Sequence, residues 1–337
     1  MTRLRPWLAP LAAMLAALAV LGLLLIVLGA NPGRALGALA SGALGDRLAI
    51  ANTVLRMFPL ALVGLGVAVA FRCGVWNIGG EGQLYVGALV ATALATRIAP
   101  NLPAALLIPL VVVGGALAGA LWAGIAAALR VGRGVSEVLS TILLNFIAVL
   151  LVAYAVHGPL QEAAGAYPQS DAFPEAARLG LLPWLGRVHT GLLLVLALPI
   201  LIWFLLFRTA AGLRLRAVGL SPAAARYAGI LPEREVVRVL LLSGGLAGLA
   251  GALEVCGVTG RLFENLSAGY GFTAIAVALL ARLHPLGVLP AAAFFAALAT
   301  GSGGMQRMAD VPSVTVQMIE ALVIFFSAGF ALPRRTD

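Results

Sequence analysis

Long uninterrupted stretches of apolar side chains recur along this whole chain, each close to the length that crosses a bilayer. At 1.5 Å of rise per residue, a helix needs roughly 18–25 apolar residues to traverse about 30 Å of hydrocarbon. The stretches predict about ten spans: 7–29, 53–71, 83–98, 104–129, 138–157, 190–207, 237–257, 271–281, 286–303 and 313–332. The expected fold class is all-α, a polytopic transmembrane helical bundle forming a single domain over residues 1–337. Three stretches, 83–98, 271–281 and 286–303, are short and interrupted by glycine. They are expected to be tilted, broken or re-entrant, which is tolerated where backbone is buried in protein or faces water. The first stretch follows Arg3 and Arg5 and exceeds the apolar core of a secretory leader, so it reads as a retained span.

Charge narrows the function. Only 10% of residues are charged, against about 25% in soluble domains. The net charge is +9, yet the charges sit between apolar runs rather than on one face, which excludes a nucleic-acid partner. All 22 Lys+Arg positions are arginine. Without lysine there is no Walker A loop and no Schiff-base chemistry. With the N-terminus inside, fourteen arginines fall inside and eight outside, so both termini are expected in the cytoplasm. Cys73 and Cys256 lie in apolar context without CxxC spacing and read as inert thiols. No metal site, no cofactor and no enzyme are expected. HExxH is absent, and Asp46, Asp171, Asp310 and Asp337 all fall outside the spans. Ser302, between two glycines, has its candidate base His284 on the opposite side.

Two loops stand out. Residues 158–189 form a long external segment with Pro159, Pro168, Pro174 and Pro183, either a docking face or a connector. Residues 208–236 form an arginine-rich internal segment. Within it, Ser221 is a helix cap, Pro222 suits the first helical position, and Ala223 to Tyr227, including Arg226, continue a short helix. Gly229 is placed to end it in a left-handed conformation. That helix either rests on anionic membrane lipid or is gripped by a cytoplasmic partner.

Polar groups at membrane depth are costly, so each is a functional candidate. In the segment Trp76–Gln83 the glycines 79, 80 and 82 disfavour regular helix, and Asn77, Glu81 and Gln83 either satisfy freed backbone groups or meet a solute. Glu137, Thr141 and Asn145 recur every fourth residue and share a helix face, which lines a pathway or bonds another polar element. Glu254, His157 and Glu320 read as satisfied packing groups. Trp76, Tyr85, Phe272 and Thr273 are weaker candidates for stacking on a planar solute. Gly115–Gly119 and Gly244–Gly248 read as close helix packing.

At Phe71–Thr92 (FRCGVWNIGGEGQLYVGALVAT) the chain resembles permease subunits of ATP-binding-cassette importers, in the branch with ribose-type sugar, branched-chain amino acid and nucleoside permeases. Residues 135–148, 215–230, 243–257 and 269–292 resemble the same branch in the same order. The form N-I-G-x-E-G-Q with this coupling segment most resembles the longer permease of bacterial nucleoside importers. The resemblance implies inward nucleoside transport, purine nucleosides favoured, across a bacterial inner membrane. It also implies a second permease subunit, an external solute-binding protein, and cytoplasmic ATPase subunits that bind ATP and magnesium. The coupling role falls on Ser221–Gly229. The loop 158–189 shows no clear match, and Arg282-Leu283-His284-Pro285 stands where relatives often carry Gly-Asn. Sugar and riboflavin importers share this architecture, and an ion-coupled carrier is a further alternative.

Overall fold

A computed structural model describes residues 5–27 and 29–312, and beyond them 314, 315, 318, 321, 322 and 325. The described residues form helices and connecting turns without a strand; three isolated bridges occur, all involving the 158–189 segment. The helices are α1 (Arg5–Val27), α2 (Pro32–Leu44), α3 (Arg47–Arg72), α4 (Gly80–Ala93), α5 (Ala104–Arg133) and α6 (Glu137–His157). They continue as α7 (Leu192–Arg208), α8 (Ala210–Leu220), α9 (Pro222–Tyr227), α10 (Pro232–Glu254), α11 (Tyr270–Leu280) and α12 (Pro285–Ala309).

Among the described residues, five helices are long and apolar enough to cross a bilayer: α3, α5, α6, α12, and α10 with its continuation to Thr259. The pair α7–α8, bent by 74°, makes a sixth if taken as one span. The expected spans at 83–98 and 271–281 form helices of only 14 and 11 residues. At 1.5 Å per residue α11 falls well short of about 30 Å of hydrocarbon, and α4 comes near it only with the turn that continues it to Ile98. Gly79 and Gly269 lie just before them, and α4 runs on into a π-helical turn, Leu94–Ile98. The tenth expected span, 313–332, and Glu320 fall mostly outside the described residues.

Two helices escape the apolar-run reading. Asn31 accepts a hydrogen bond from the Arg34 amide and Pro32 opens α2, so residues 32–44 are helical rather than a connector. Likewise, Thr209 caps α8 by accepting from the Gly212 amide, so most of the internal loop is helix.

Helix α3 is the centre of the bundle. Seventeen of its residues are buried, which matches its lack of a polar face. Beside it α10 meets α4 and α5 at glycines. A Cβ at Gly248 would lie 2.9 Å from Gly119 Cα, and one at Gly115 would lie 2.7 Å from Ala252 Cβ. Lipid supplies no hydrophobic drive between helices, so association depends on close backbone contact of this kind. Outward, α5 presents Leu106, Leu110, Val113, Leu117, Leu121 and Ile125, an exposed apolar stripe at helical spacing.

The segment 158–189 is ordered. Ser170 N–H donates to Leu262 O at 2.8 Å, Phe173 N–H to Gly260 O at 2.9 Å and Leu179 N–H to Cys256 O at 3.0 Å. Arg261 and Glu162 are paired at 2.8 Å. It thus lies over the end of α10, and His189 at its close is fully buried.

Candidate functional site

The two polar clusters seen in the sequence meet in one place. The extended stretch Trp76–Gly79 between α3 and α4 has backbone groups that no helix can satisfy, and the polar stripe of α6 supplies their partners. Glu137 accepts from Trp76 N–H at 3.2 Å, Thr141 from Ile78 N–H at 3.3 Å, and Asn145 donates to Ile78 O at 2.9 Å while accepting from Gly82 N–H at 2.8 Å. Gly82 permits this approach: a Cβ there would lie 2.8 Å from Asn145 Cα. Within the stretch, Asn77 and Gln83 exchange two amide hydrogen bonds at 3.0 and 2.9 Å, and Asn77 also donates to Ser243 Oγ of α10 at 2.8 Å. Glu81 accepts from Gly271 N–H of α11 at 2.6 Å. Arg130 forms an ion pair with Glu137.

All six residues Asn77, Glu81, Gln83, Glu137, Thr141 and Asn145 are buried. Their bonds tie the broken stretch to α6, α10 and α11, and none lines the cavity between α2, α3 and α12. Ser243, Gly271 and Arg130 complete the network but were not legible as partners, because nothing local in sequence links them to it. The aromatic candidates are dispersed. Trp76 packs on Phe71 at 4.5 Å, whereas the Tyr85 hydroxyl accepts from Ser267 N–H at 3.3 Å.

At the end of the bundle that holds Arg72 and Arg130, α9 forms as its residues require. Ser221 Oγ accepts from Ala224 N–H at 3.2 Å, Pro222 takes the first helical position, and Gly229 adopts φ +77°. Ala225 is buried beneath the helix, while Pro222, Ala223, Arg226 and Tyr227 are exposed. Arg226 pairs with Glu233. Glu235, buried, holds Arg238 at 2.5 Å and Arg214 of α8 at 3.4 Å, which anchors this corner to α10. The corner is also tied to the core. The Arg72 and Arg216 guanidinium groups lie over the Phe207 ring at 5.0 and 5.2 Å, and His284 stacks on that ring at 5.5 Å. Arg72 further donates to Leu283 O at 2.6 Å. The tight turn before α12 places Arg282 and Leu283 at φ +52° and +56°. Burial, and next to it the Arg72 charge, hold the His284 imidazole below its ordinary value.

A network that fixes a broken helix at mid-bundle, with a capped helix exposed beside basic residues, matches the architecture of membrane transport subunits. The family model described as branched-chain amino acid transport system / permease component matches residues 49–328. The chain belongs to this permease family. The permease is 38% identical to a glucose ABC transporter permease protein of Haloferax volcanii, over 95% of this chain and 87% of that one. It is 34% identical to a guanosine ABC transporter permease protein of Bacillus subtilis, over 97% and 94% respectively. A nucleoside ABC transporter permease protein of Lactococcus lactis is 32% identical, over 96% and 91%. With its apolar helices, the permease is a multi-pass membrane protein.

Proposed function

We propose that this permease is one of two membrane subunits of an ATP-binding-cassette importer that carries nucleosides, purine nucleosides favoured, into a bacterial cytoplasm. The reading rests chiefly on the guanosine permease of Bacillus subtilis, which aligns with nearly the whole of both chains. The N-I-G-x-E-G-Q form at Asn77–Gln83 supports the same solute class. In this reading both termini are cytoplasmic and the chain crosses the inner membrane about ten times, the short helices α4 and α11 completing their passes with the backbone that adjoins them. The shorter helices α4 and α11 take part within the bundle. The exposed helix α9, at the arginine-rich end, is the seat for a cytoplasmic ATPase. The chain has no lysine for a nucleotide-binding loop, so hydrolysis falls to that partner, which holds ATP and magnesium. An external solute-binding protein delivers solute at the 158–189 end. Asn77, Glu81, Gln83, Glu137, Thr141 and Asn145 act as the fixed frame of the gate, and ATP and loaded binding protein bias its two states from opposite ends.

A simple sugar is the second reading, favoured by the 38% identity to the glucose permease. Whole-cell uptake of labelled guanosine, inosine, cytidine, ribose, glucose and riboflavin separates them. Gene-dependent guanosine uptake that requires ATP and survives an uncoupler is the expected result. Uptake of a sugar or riboflavin alone would discard the nucleoside assignment, and uptake that stops with the proton gradient would overturn the ATP-driven mechanism.

A further inference from the structure

A cavity of about 850 Å³ opens at the 158–189 end, between α2, the first half of α3 and the second half of α12. Its volume lies in the range that holds a small-molecule ligand, roughly 300–1,000 Å³. Polar groups from four elements converge on it: Asn52 and Arg56 of α3, Glu254 at the end of α10, Tyr270 at the start of α11, and Thr300 of α12. Arg187 joins them from the long loop.

Glu254 is the group that needs an explanation. It is 7% exposed, and among the described residues the hydrogen bond at this position, from the Thr259 hydroxyl, goes to its backbone oxygen rather than to the carboxylate. Arg56, on the facing wall, is close enough for its charge to act on Glu254, while its Nη1 donates to Ala299 O at 2.8 Å. The Thr300 hydroxyl is buried and also lacks a hydrogen-bond partner among the described residues. Helix α10 passes directly after Glu254 into a π-helical turn, Val255–Thr259, a geometry frequent at functional sites. A buried hydroxyl without a partner is expensive unless something else supplies the bond, and the Glu254 carboxylate lines the same cavity with no hydrogen bond of its own among the described residues. Both line one cavity of solute size.

We infer that this cavity takes the sugar ring of the transported solute, with the Glu254 carboxylate accepting hydrogen bonds from its vicinal hydroxyls. The inference rests on the reading of the chain as a nucleoside or sugar permease. A carboxylate is an acceptor only, and its two oxygens match two adjacent hydroxyl donors, as with acidic residues that hold a ribose. The Tyr270 ring and the arginines remain for the other part of the solute. Ribonucleosides and hexoses share the vicinal diol, so the site chemistry is common to both solute classes, and the solute series separates them.

The test uses cells carrying the complete importer, supplied singly with labelled guanosine, 2′-deoxyguanosine, glucose, 2-deoxyglucose and leucine. The quantity read is uptake efficiency of each hydroxylated solute over its deoxy analogue, in wild type and in Glu254→Gln. The external binding protein is the same in both strains, so its own preference cancels. A site built around a hydroxyl rejects the analogue that lacks it. Glu254→Gln is therefore expected to cut uptake of the hydroxylated solute by about tenfold and bring the ratio toward one. The isosteric Thr300→Val is expected to lower the same uptake several-fold, and it carries the test if Glu254→Gln does not reach the membrane. Equal loss for both members of a pair marks a structural role and overturns the assignment, as does an unchanged ratio at normal protein level. Leucine uptake that depends on Glu254 overturns it too, by pointing to an ammonium partner. Wild-type cells that move none of the nucleosides or sugars overturn the parent reading, and the diol assignment with it.

Discussion

Asn145 shows how much one side chain can hold. Its amide donates to Ile78 O and accepts from Gly82 N–H, so it serves both sides of the break before α4. Asn145→Ala leaves two buried backbone groups unpaired, each costing about 1–3 kcal/mol. The expected result is a melting temperature several degrees lower for the detergent-purified protein, with uptake reduced in parallel; unchanged melting would show that the bonds are replaceable. His189 makes a different demand. Its Nδ1 accepts from Gly191 N–H at 3.2 Å, Phe58 meets its ring edge-on at 4.9 Å, and burial pushes the imidazole down to about 4. The ordinary value is near 6.5, so folding favours the neutral ring. The stability this contributes is complete above about pH 6.5 and is lost progressively as pH falls toward 4. His189→Asn keeps an acceptor for Gly191 N–H and cannot be protonated there. It is expected to lose less stability than wild type when pH drops from neutral to about 5, and equal losses would clear His189 of the effect.

Among the elements, α9 carries the most function in the fewest residues. A six-residue helix is not stable alone. Here Ser221, Pro222 and Gly229 fix its ends and Ala225 its underside, which leaves Tyr227 95% exposed. Gly229 has nothing within 4 Å of where a Cβ would stand, and aspartate tolerates left-handed backbone better than most residues. Gly229→Asp is expected to keep the subunit folded in the membrane while lowering co-purification of the ATPase about tenfold, or about 1.4 kcal/mol. Wild-type recovery of the ATPase would remove α9 as its seat. By contrast, α5 and α10 act through what they lack: without the glycines at 115, 119, 244 and 248, their backbones could not approach.

For the whole molecule, the two ends differ in kind. One carries the ordered 158–189 segment and the polar cavity; the other carries α8, α9 and the arginine–Phe207 cluster. Orientation in the membrane follows from labelling. In a protein with Cys73 and Cys256 replaced by alanine, single cysteines at Trp184 and Tyr227 probe opposite ends, because both side chains are well exposed. An impermeant maleimide added to intact cells is expected to modify the Trp184→Cys protein and to reach the Tyr227→Cys protein only after lysis. The reverse pattern would invert the proposed topology.

By itself, the sequence determined the all-helical membrane class, because apolar run length is a local quantity set by bilayer thickness. It also determined the α9 cap and the shared face of Glu137, Thr141 and Asn145, since both follow from spacing within one element. The tertiary structure decided what those groups face. Asn77 meets Ser243 across 166 residues, and Glu81 meets Gly271 across 190. Glu254 read as a packing residue in an apolar helix, and it lines a cavity whose other walls come from α3, α11 and α12. No local periodicity encodes such meetings. They arise only when helices distant in sequence are brought together at their glycines, and the same closeness decides which polar groups are satisfied and which remain open to a solute.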